Sequence, residues 1–207
     1  SGDVSRTVQK RLDDYVSVKD FGAVGDDSSA DGVAIQRAIN ELYKDTDTTV
    51  SNDTRARRIL FFPAGTYRIA ASLTIPPFAH LVGEGADKTI IKNSASAPAL
   101  VTEDDDGNVY GNIGDSGATT PTQIQISNMT IRTTVAHGGL SIDNATKVFV
   151  NNVKFQGTFV SGGTDASNSK GVSVRSTTLL PCSNIIFGQC QFTGFARLVD
   201  MSCLLYT

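Results

Sequence analysis

Cysteine, basic charge and long apolar runs are all scarce in this 207-residue sequence. The three cysteines, Cys182, Cys190 and Cys203, are odd in number and lack the spacing of a metal site. The formal net charge of −3 argues against a nucleic-acid partner, which would require a basic face. No apolar run approaches the roughly 18 residues that a membrane-spanning helix needs. These absences leave a protein that binds neither nucleic acid nor the membrane interior.

Sequence motifs for metal, nucleotide and nucleophilic chemistry are also missing. The acidic run 103–106 fails the EF-hand pattern, because Ile113 stands where a bidentate Glu is needed. The turn at 83–87, GEGAD, lacks the Lys-Ser/Thr of a phosphate-binding loop. His80 and His137 suggest no pairing of a nucleophile with a base. We therefore predict no cofactor and no metal.

A kinked pattern of apolar residues recurs three times in the second half of the chain. Each copy has two apolar residues two apart, a step of three, and two more that are two apart. The copies are 123–131 (QIQISNMTI), 147–155 (KVFVNNVKF) and 184–192 (NIIFGQCQF). Because side chains alternate along a strand, the apolar residues of each strand point into a core. The step of three predicts a bend in the chain. The bends fall at Asn128, Asn152 and Gln189, and Cys190 takes a core position.

The spacing between the copies predicts a solenoid. Ile124 and Val148 are 24 positions apart, and Val148 and Ile185 are 37 apart. Periods of this size are typical of solenoids, and the shorter one suits a single coil of a parallel β-helix. The longer interval predicts a loop inserted at Gly157–Gly171. A sandwich of recurring short strands is the alternative.

The chain divides into a neck helix with its linker, a capping segment and the first coils of an all-β solenoid. These predicted regions are 1–15, 16–57 and 58–207. In the neck, an apolar stripe recurs every four residues, formed by Val4, Val8 and Leu12. A helix this short is marginal alone, so the stripe needs a partner in the body of the chain or in other subunits.

The capping segment contains a second amphipathic helix, predicted at about 31–43. Asp31 or Ser29 can serve as its N-cap. Without a cover, the end of a solenoid would expose its core and its strand edges to water. A single helix before the first coil is suited to cover that end.

Five sequence blocks in the first 90 or so residues carry a family resemblance. They are YVSVKDFGAVGDD (15–27), GVAIQRAIN (32–40), ILFFPAGTYRI (59–69), LTIP (73–76) and LVGEGADKTII (81–91). In this order they resemble the opening of the pectate-lyase-like right-handed β-helix of bacteriophage tailspikes. The family carries Asp-Asp-Thr before the helix, whereas this chain reads SSADG at 28–32. We therefore expect Asp31 to remain as the helix cap.

The resemblance implies a homotrimer of right-handed parallel β-helices in the tail of a virion. It implies contacts with other tail or baseplate proteins, and binding of bacterial surface polysaccharide. Many tailspikes cleave that polysaccharide, so the resemblance implies a depolymerase as the parent protein, either a glycoside hydrolase or a lyase. The alternative is a structural or adhesive tail fibre segment without catalysis. A cellular pectate-lyase-like enzyme is a third possibility, which the neck-like helix disfavours.

Acidic residues on or near the coils are the candidates for catalysis. Glycoside hydrolysis uses two carboxyl groups that are about 5 Å or roughly 6.5–9.5 Å apart. Asp165 lies in the inserted loop, Asp143 in a predicted corner and Asp200 in the strand-like run RLVDMS. A role in a turn or on the solvated surface is the competing interpretation for each. Because no polar capping element follows that apolar run, we also expect further coils or another chain to cover this end.

Overall fold

The computed structural model describes six stretches of the chain. They are residues 15–43, 59–103, 120–135, 137–159, 169–176 and 182–203. The predicted neck stripe of Val4, Val8 and Leu12 lies outside them, as does Asp165. The first stretch contains strand β1 (Tyr15–Ser17), a 3-10 helix (Val18–Phe21), strand β2 (Asp26–Ala30) and helix α1 (Gly32–Tyr43). The later strands are β3 (Ile59–Phe62), β4 (Gly65–Ile69), β5 (Leu73–Ile75), β6 (His80–Gly83), β7 (Thr89–Asn93), β8 (Leu100–Thr102), β9 (Thr122–Thr133), β10 (Leu140–Asp143), β11 (Thr146–Gln156), β12 (Lys170–Ser176), β13 (Ser183–Gly188), β14 (Gln191–Thr193) and β15 (Arg197–Cys203).

The strands form two sheets in which every strand pair of the described residues is parallel. The first sheet is bent at β9, whose first half pairs with β6 and whose second half pairs with β7. It continues through β11 to β13 and β14. The second sheet has the order β15-β12-β10-β8-β5. Because the chain visits both sheets in each coil and pairs with the coil before it, the fold is a parallel β-helix. The sandwich alternative is wrong, since it requires antiparallel neighbours.

The three kinked repeats stack in the predicted register. Ile124 pairs with Val148, and Val148 pairs with Ile185. At the predicted bends, Asn128, Asn152 and Gln189 have left-handed φ values of 57°, 52° and 52°. Asparagine tolerates this conformation better than most residues because its short side chain can form local hydrogen bonds. The bends turn the chain so that both halves of each copy face one core.

The apolar interior is built from side chains that stack on the equivalent positions of the next coil. Val148, Val150, Val153 and Phe155 are all almost completely buried. The rings of Phe155 and Phe192 are parallel, with their centroids 4.9 Å apart. Complete burial of each large apolar side chain contributes roughly 1.5–3 kcal/mol, so these stacks supply much of the stability of the coils.

The long second coil differs from the prediction in one respect. The sequence predicts the inserted loop at Gly157–Gly171, but Lys170 and Gly171 already belong to strand β12. Lys170 pairs in parallel with Arg197 of β15, which makes it part of the second-sheet strand of its coil. The lysine and glycine at the start of this strand lack the apolar alternation that indicates a strand in the sequence.

The N-terminal helix packs on the first coils of the solenoid. It begins at Gly32 and ends at Tyr43, close to the predicted 31–43. Its apolar face is buried among the 3-10 helix and strands β3, β4 and β5. In the described part of the chain no helix is both long and apolar enough to cross a membrane.

Candidate functional site

Polar side chains line the outer surface of the second sheet. Inward residues such as Leu140, Val172 and Val174 are buried, so the residues between them point outward. We call this surface the second-sheet polar face. Its members are Ser141 and Asp143 on β10, Lys170, Ser173 and Arg175 on β12, and Arg197 and Asp200 on β15. Ser141 and Asp143 are buried beneath this face, whereas Arg175 and Arg197 are exposed. The register places Ser141 beside Ser173, and Ser173 beside Asp200.

The first ion pair of this face joins Asp143 to Arg175. The Nε atom of Arg175 lies 2.6 Å from Oδ1 of Asp143, and its Nη2 atom lies 3.1 Å from Oδ2. Ser141 donates its hydroxyl to the same carboxylate at 2.8 Å. The carboxylate is buried, whereas the arginine side chain is 46% exposed. Two parallel hydrogen bonds hold the guanidinium in one orientation, with one side toward solvent.

The second cluster of charge surrounds Asp200. Lys170 contacts one carboxylate oxygen, and Nη1 of Arg197 lies 3.1 Å from the other. The hydrogen bond from Lys170, together with the charges of both cations, lowers the pKa of the Asp200 carboxyl below its usual value. Asp200 is therefore ionised near neutral pH and cannot supply a proton there.

The geometry of these two aspartates does not match that of a glycosidase pair. Asp143 and Asp200 are two strands apart and offset by two residues, which corresponds to about 12 Å between their Cα atoms. The Asp143 carboxylate is paired with Arg175, and the Asp200 carboxylate is paired with Lys170 and Arg197. A general acid also needs a raised pKa, which Asp200 lacks. The described part of this face is thus suited to binding through its exposed cations.

Asp31, the predicted helix cap, lies immediately before α1. Its backbone carbonyl accepts a hydrogen bond from the Ile35 N–H at 2.9 Å. Its buried carboxylate accepts hydrogen bonds from the backbone N–H groups of Val24, at 2.6 Å, and Gly25. These bonds fasten the preceding loop to the start of the helix. Ser29, the other N-cap candidate, lies within β2.

The basic and hydroxyl members of the polar face were missed at the level of sequence. The segments LSID at 140–143 and VSVR at 172–175 share one pattern, in which two apolar residues alternate with a serine and a charged residue. That recurrence was the available signal. It is only four residues long, and the kinked repeat next to it is far stronger. Within the described residues, no group of three His, Cys, Asp or Glu side chains could hold a metal ion.

The coils of parallel strands define the fold class, a parallel β-helix. Comparison with models of known protein families then gives the family. The family described as rhamnogalacturonase A/epimerase, pectate lyase-like, matches residues 15–197. The chain therefore belongs to this family, as its N-terminal blocks predicted. Most of the described structure falls within the match.

Three known proteins illustrate the similarity. Mannuronan C5-epimerase AlgE2 of Azotobacter vinelandii is 41% identical over 86 residues, which are 38% of this chain and 8% of the epimerase. The structure of ORF18 of Geobacillus virus E2 superimposes with a TM-score of 0.64 at 22% identity, covering 95% of this chain and 44% of that one. The N-terminal fragment of bacteriophage phi29 gene product 12 gives 0.61 at 20% identity, covering 87% and 29%. The chain thus spans less than half the length of each of these proteins, and at these identities the two viral structures show a shared fold.

Proposed function

We propose that this chain is a segment of a phage tailspike or tail fibre that binds bacterial surface polysaccharide through the second-sheet polar face. The observation that carries the proposal is an outward surface of exposed cations held by ion pairs on a pectate-lyase-like β-helix. The two viral neighbours and the tailspike-like N-terminal blocks support a place in the tail of a virion, in contact with other tail or baseplate proteins.

The arrangement of the face suits a glycan. Sugar hydroxyls and carboxylates need hydrogen-bond donors at fixed positions, and the ion pairs hold Lys170, Arg175 and Arg197 in place. Groups that are already ordered lose less conformational entropy when the ligand binds. Columns of outward residues also repeat at the strand spacing of about 4.8 Å, so an extended chain can contact several coils at once.

Binding is tested with the complete 207-residue chain and a panel of purified bacterial capsular polysaccharides and O-antigens. Isothermal titration calorimetry should detect binding to at least one of them. Arg197→Gln should weaken that binding about tenfold, since a charged hydrogen bond contributes about 1.5–3 kcal/mol. Lys88→Gln is the matched control, because Lys88 is also an exposed cation in an ion pair but lies away from this face. Equal losses in both variants, or no binding to any host polymer, would contradict the proposal.

A non-catalytic, adhesive segment is the second candidate function. It is favoured by the ion pairing of Asp143 and Asp200. In a depolymerase, the catalytic acids would be residues other than Asp143 and Asp200. Asp165 in the inserted loop is the candidate to test. Size-exclusion chromatography of a bound polysaccharide after incubation separates the two possibilities. Shortening that is lost in Asp165→Asn would indicate catalysis by this segment, and an unchanged polymer length would favour adhesion.

The division of the chain into regions and its assembly into a homotrimer are part of the same proposal. We place a neck helix and linker at 1–15, a capping segment at 16–57 and right-handed coils at 58–207. The neck stripe of Val4, Val8 and Leu12 would pack around the axis of a homotrimer. A chain that stays monomeric in light scattering would instead favour a cellular pectate-lyase-like enzyme.

A further inference from the structure

Three cations form a row on the outer surface of the first sheet, in its second half, which contains β4, β7 and the end of β9. Arg68 on β4 pairs in register with Lys92 on β7, and Lys92 pairs with Arg132 on β9. The sequence neighbours of all three are buried, so alternation directs the three side chains outward. We call this row the cation column. The strand spacing places its successive members about 4.8 Å apart along the solenoid.

The charges of the cation column are only partly balanced. Like charges directly opposite each other on neighbouring strands are destabilising, so the row has an energetic cost in the free protein. Lys92 has an acidic partner, since its Nζ atom lies 2.8 Å from Oδ1 of Asp27. Arg68 instead donates to the backbone carbonyl of Ser28 at 3.3 Å, and no ion pair among the described residues includes Arg68 or Arg132. Both guanidinium groups therefore keep a charge that no carboxylate of the described chain neutralises.

Arg132 is held in place by a hydrogen bond to the next coil. Its Nε atom donates to Oε1 of Gln156 at 2.9 Å, and the two residues pair in register. Within the part of the chain that the structure describes, the two Nη atoms of Arg132 donate to no protein group. A planar guanidinium offers parallel N–H groups that match the two oxygens of a carboxylate or a phosphate. Because the side chain is already ordered, binding such a group costs less conformational entropy.

Two lysines flank Arg132 on the neighbouring strands. Lys92 lies directly opposite it on β7, and Lys154 lies on β11 with an offset of two residues. Each lysine is paired with an aspartate, Lys92 with Asp27 and Lys154 with Asp87. The exposed arginines of the second-sheet polar face also have aspartate partners. Arg132 is therefore the member of this group whose charge is open to a ligand.

We infer that the cation column binds the carboxylate or phosphate groups of an acidic glycan, with Arg132 as its main contact. A bound anion offsets the repulsion that the column has in the free protein. Gln156 and Thr193 continue the column on the next two coils, where they offer amide and hydroxyl groups to the uncharged parts of a glycan. The net charge of −3 argues against a nucleic acid as the acidic polymer. The choice of a glycan rests on the proposed function, but the site lies on a different sheet from the second-sheet polar face.

Two short acidic probes test the site in the complete 207-residue chain. Hyaluronan hexasaccharide supplies glucuronate carboxylates, tripolyphosphate supplies phosphate groups, and maltohexaose is the neutral comparison. Isothermal titration calorimetry should detect binding of at least one acidic probe and none of maltohexaose. Arg132→Gln should weaken that binding about tenfold or more, because it removes hydrogen bonds between charged groups. Arg37→Gln is the matched control and should leave binding unchanged, since Arg37 is an exposed arginine on helix α1 that donates to a backbone carbonyl.

A second variant separates charge from geometry at the same position. Arg132→Lys keeps the positive charge but removes the parallel N–H groups, so its affinity should fall between those of the unmodified protein and Arg132→Gln. This variant decides the question if Arg132→Gln lowers the melting temperature. The acidic probe that binds more tightly identifies the acidic group of the glycan.

Four outcomes would overturn the inference. The first is no binding of either acidic probe, and the second is equal weakening by Arg132→Gln and Arg37→Gln. The third is a larger loss in Arg197→Gln than in Arg132→Gln, which would place the anion on the second-sheet polar face. The fourth is tighter binding of hexaglutamate than of both probes, which would indicate an acidic protein as the partner. Probe binding that depends on Arg132 in a chain that binds no host polysaccharide would contradict the proposed function and support the anion site.

Discussion

Asn128 and Asn152 show how one residue can set both a backbone bend and a contact between coils. Each has a left-handed backbone, which lets its strand turn toward the shared core. The side-chain amide of Asn152 donates to Oδ1 of Asn128 at 2.9 Å. Gln189 adopts the same backbone in the third copy. The bend is thus a property of the position, and the asparagines add a hydrogen bond along the solenoid axis.

His80 gives a pH-dependent prediction at the residue scale. Partial burial disfavours the imidazolium form and lowers the pKa of His80 from its ordinary value. Between the folded and unfolded pKa values the unfolded chain therefore binds more protons, so stability falls as pH drops below about 6.5. We expect the melting temperature to decline from pH 7 to pH 5 and to decline less in His80→Gln. An identical decline in the variant would contradict this role of His80.

At the scale of elements, helix α1 completes the edge of the second sheet with a side chain. Strand β5 is the last strand of that sheet. Oε1 of Gln36 accepts from the Thr74 N–H at 2.8 Å, and its Nε2 donates to the Thr74 carbonyl at 3.1 Å. The amide of Gln36 thus replaces the peptide group of a missing neighbouring strand. The capping role of the helix stays a prediction, which these contacts make testable.

Removing that amide gives the prediction at the element scale. In Gln36→Leu, the Thr74 N–H and carbonyl lose their partner at a partly buried site. We expect the free energy of unfolding to fall by about 1–3 kcal/mol, the usual effect of leaving such groups unsatisfied. Asn40→Leu is the control, because it removes only the contact between Asn40 and Gln36. Urea denaturation of both variants measures the difference, and equal losses would contradict an edge-capping role.

At the scale of the whole molecule, charge is distributed unevenly around the solenoid. The second-sheet polar face and the second half of the first sheet carry ion pairs, whereas the first half of the first sheet exposes the apolar side chains of Phe149 and Ile186.

Salt tests whether the second-sheet polar face binds through its exposed cations. Screening by salt weakens the attraction between exposed charges. We therefore expect binding of an acidic capsular polysaccharide to weaken as the sodium chloride concentration rises. Isothermal titration calorimetry at several salt concentrations measures this. Binding that does not change with sodium chloride would contradict a role of these cations.

The sequence by itself determined the solenoid, its register and its bends. The apolar positions of 123–131, 147–155 and 184–192 give a strong signal because each pattern is complete within nine residues. The structure confirms the pairing of these segments. The strands of the second sheet were harder to predict. Leu140–Asp143 has only four residues, too few to establish alternation, and the start of β12 was mistaken for loop.

Only the tertiary structure decided which charged residues meet. Asp143 and Arg175 are 32 positions apart and become neighbours because one coil stacks on the next. That contact turns a candidate catalytic acid into half of an ion pair. Phe149 and Ile186 likewise become neighbours only after their coils align. Alternation within a strand determines which way a side chain points. Its neighbour on the next coil depends on how many residues the coil contains, including those of the inserted loop.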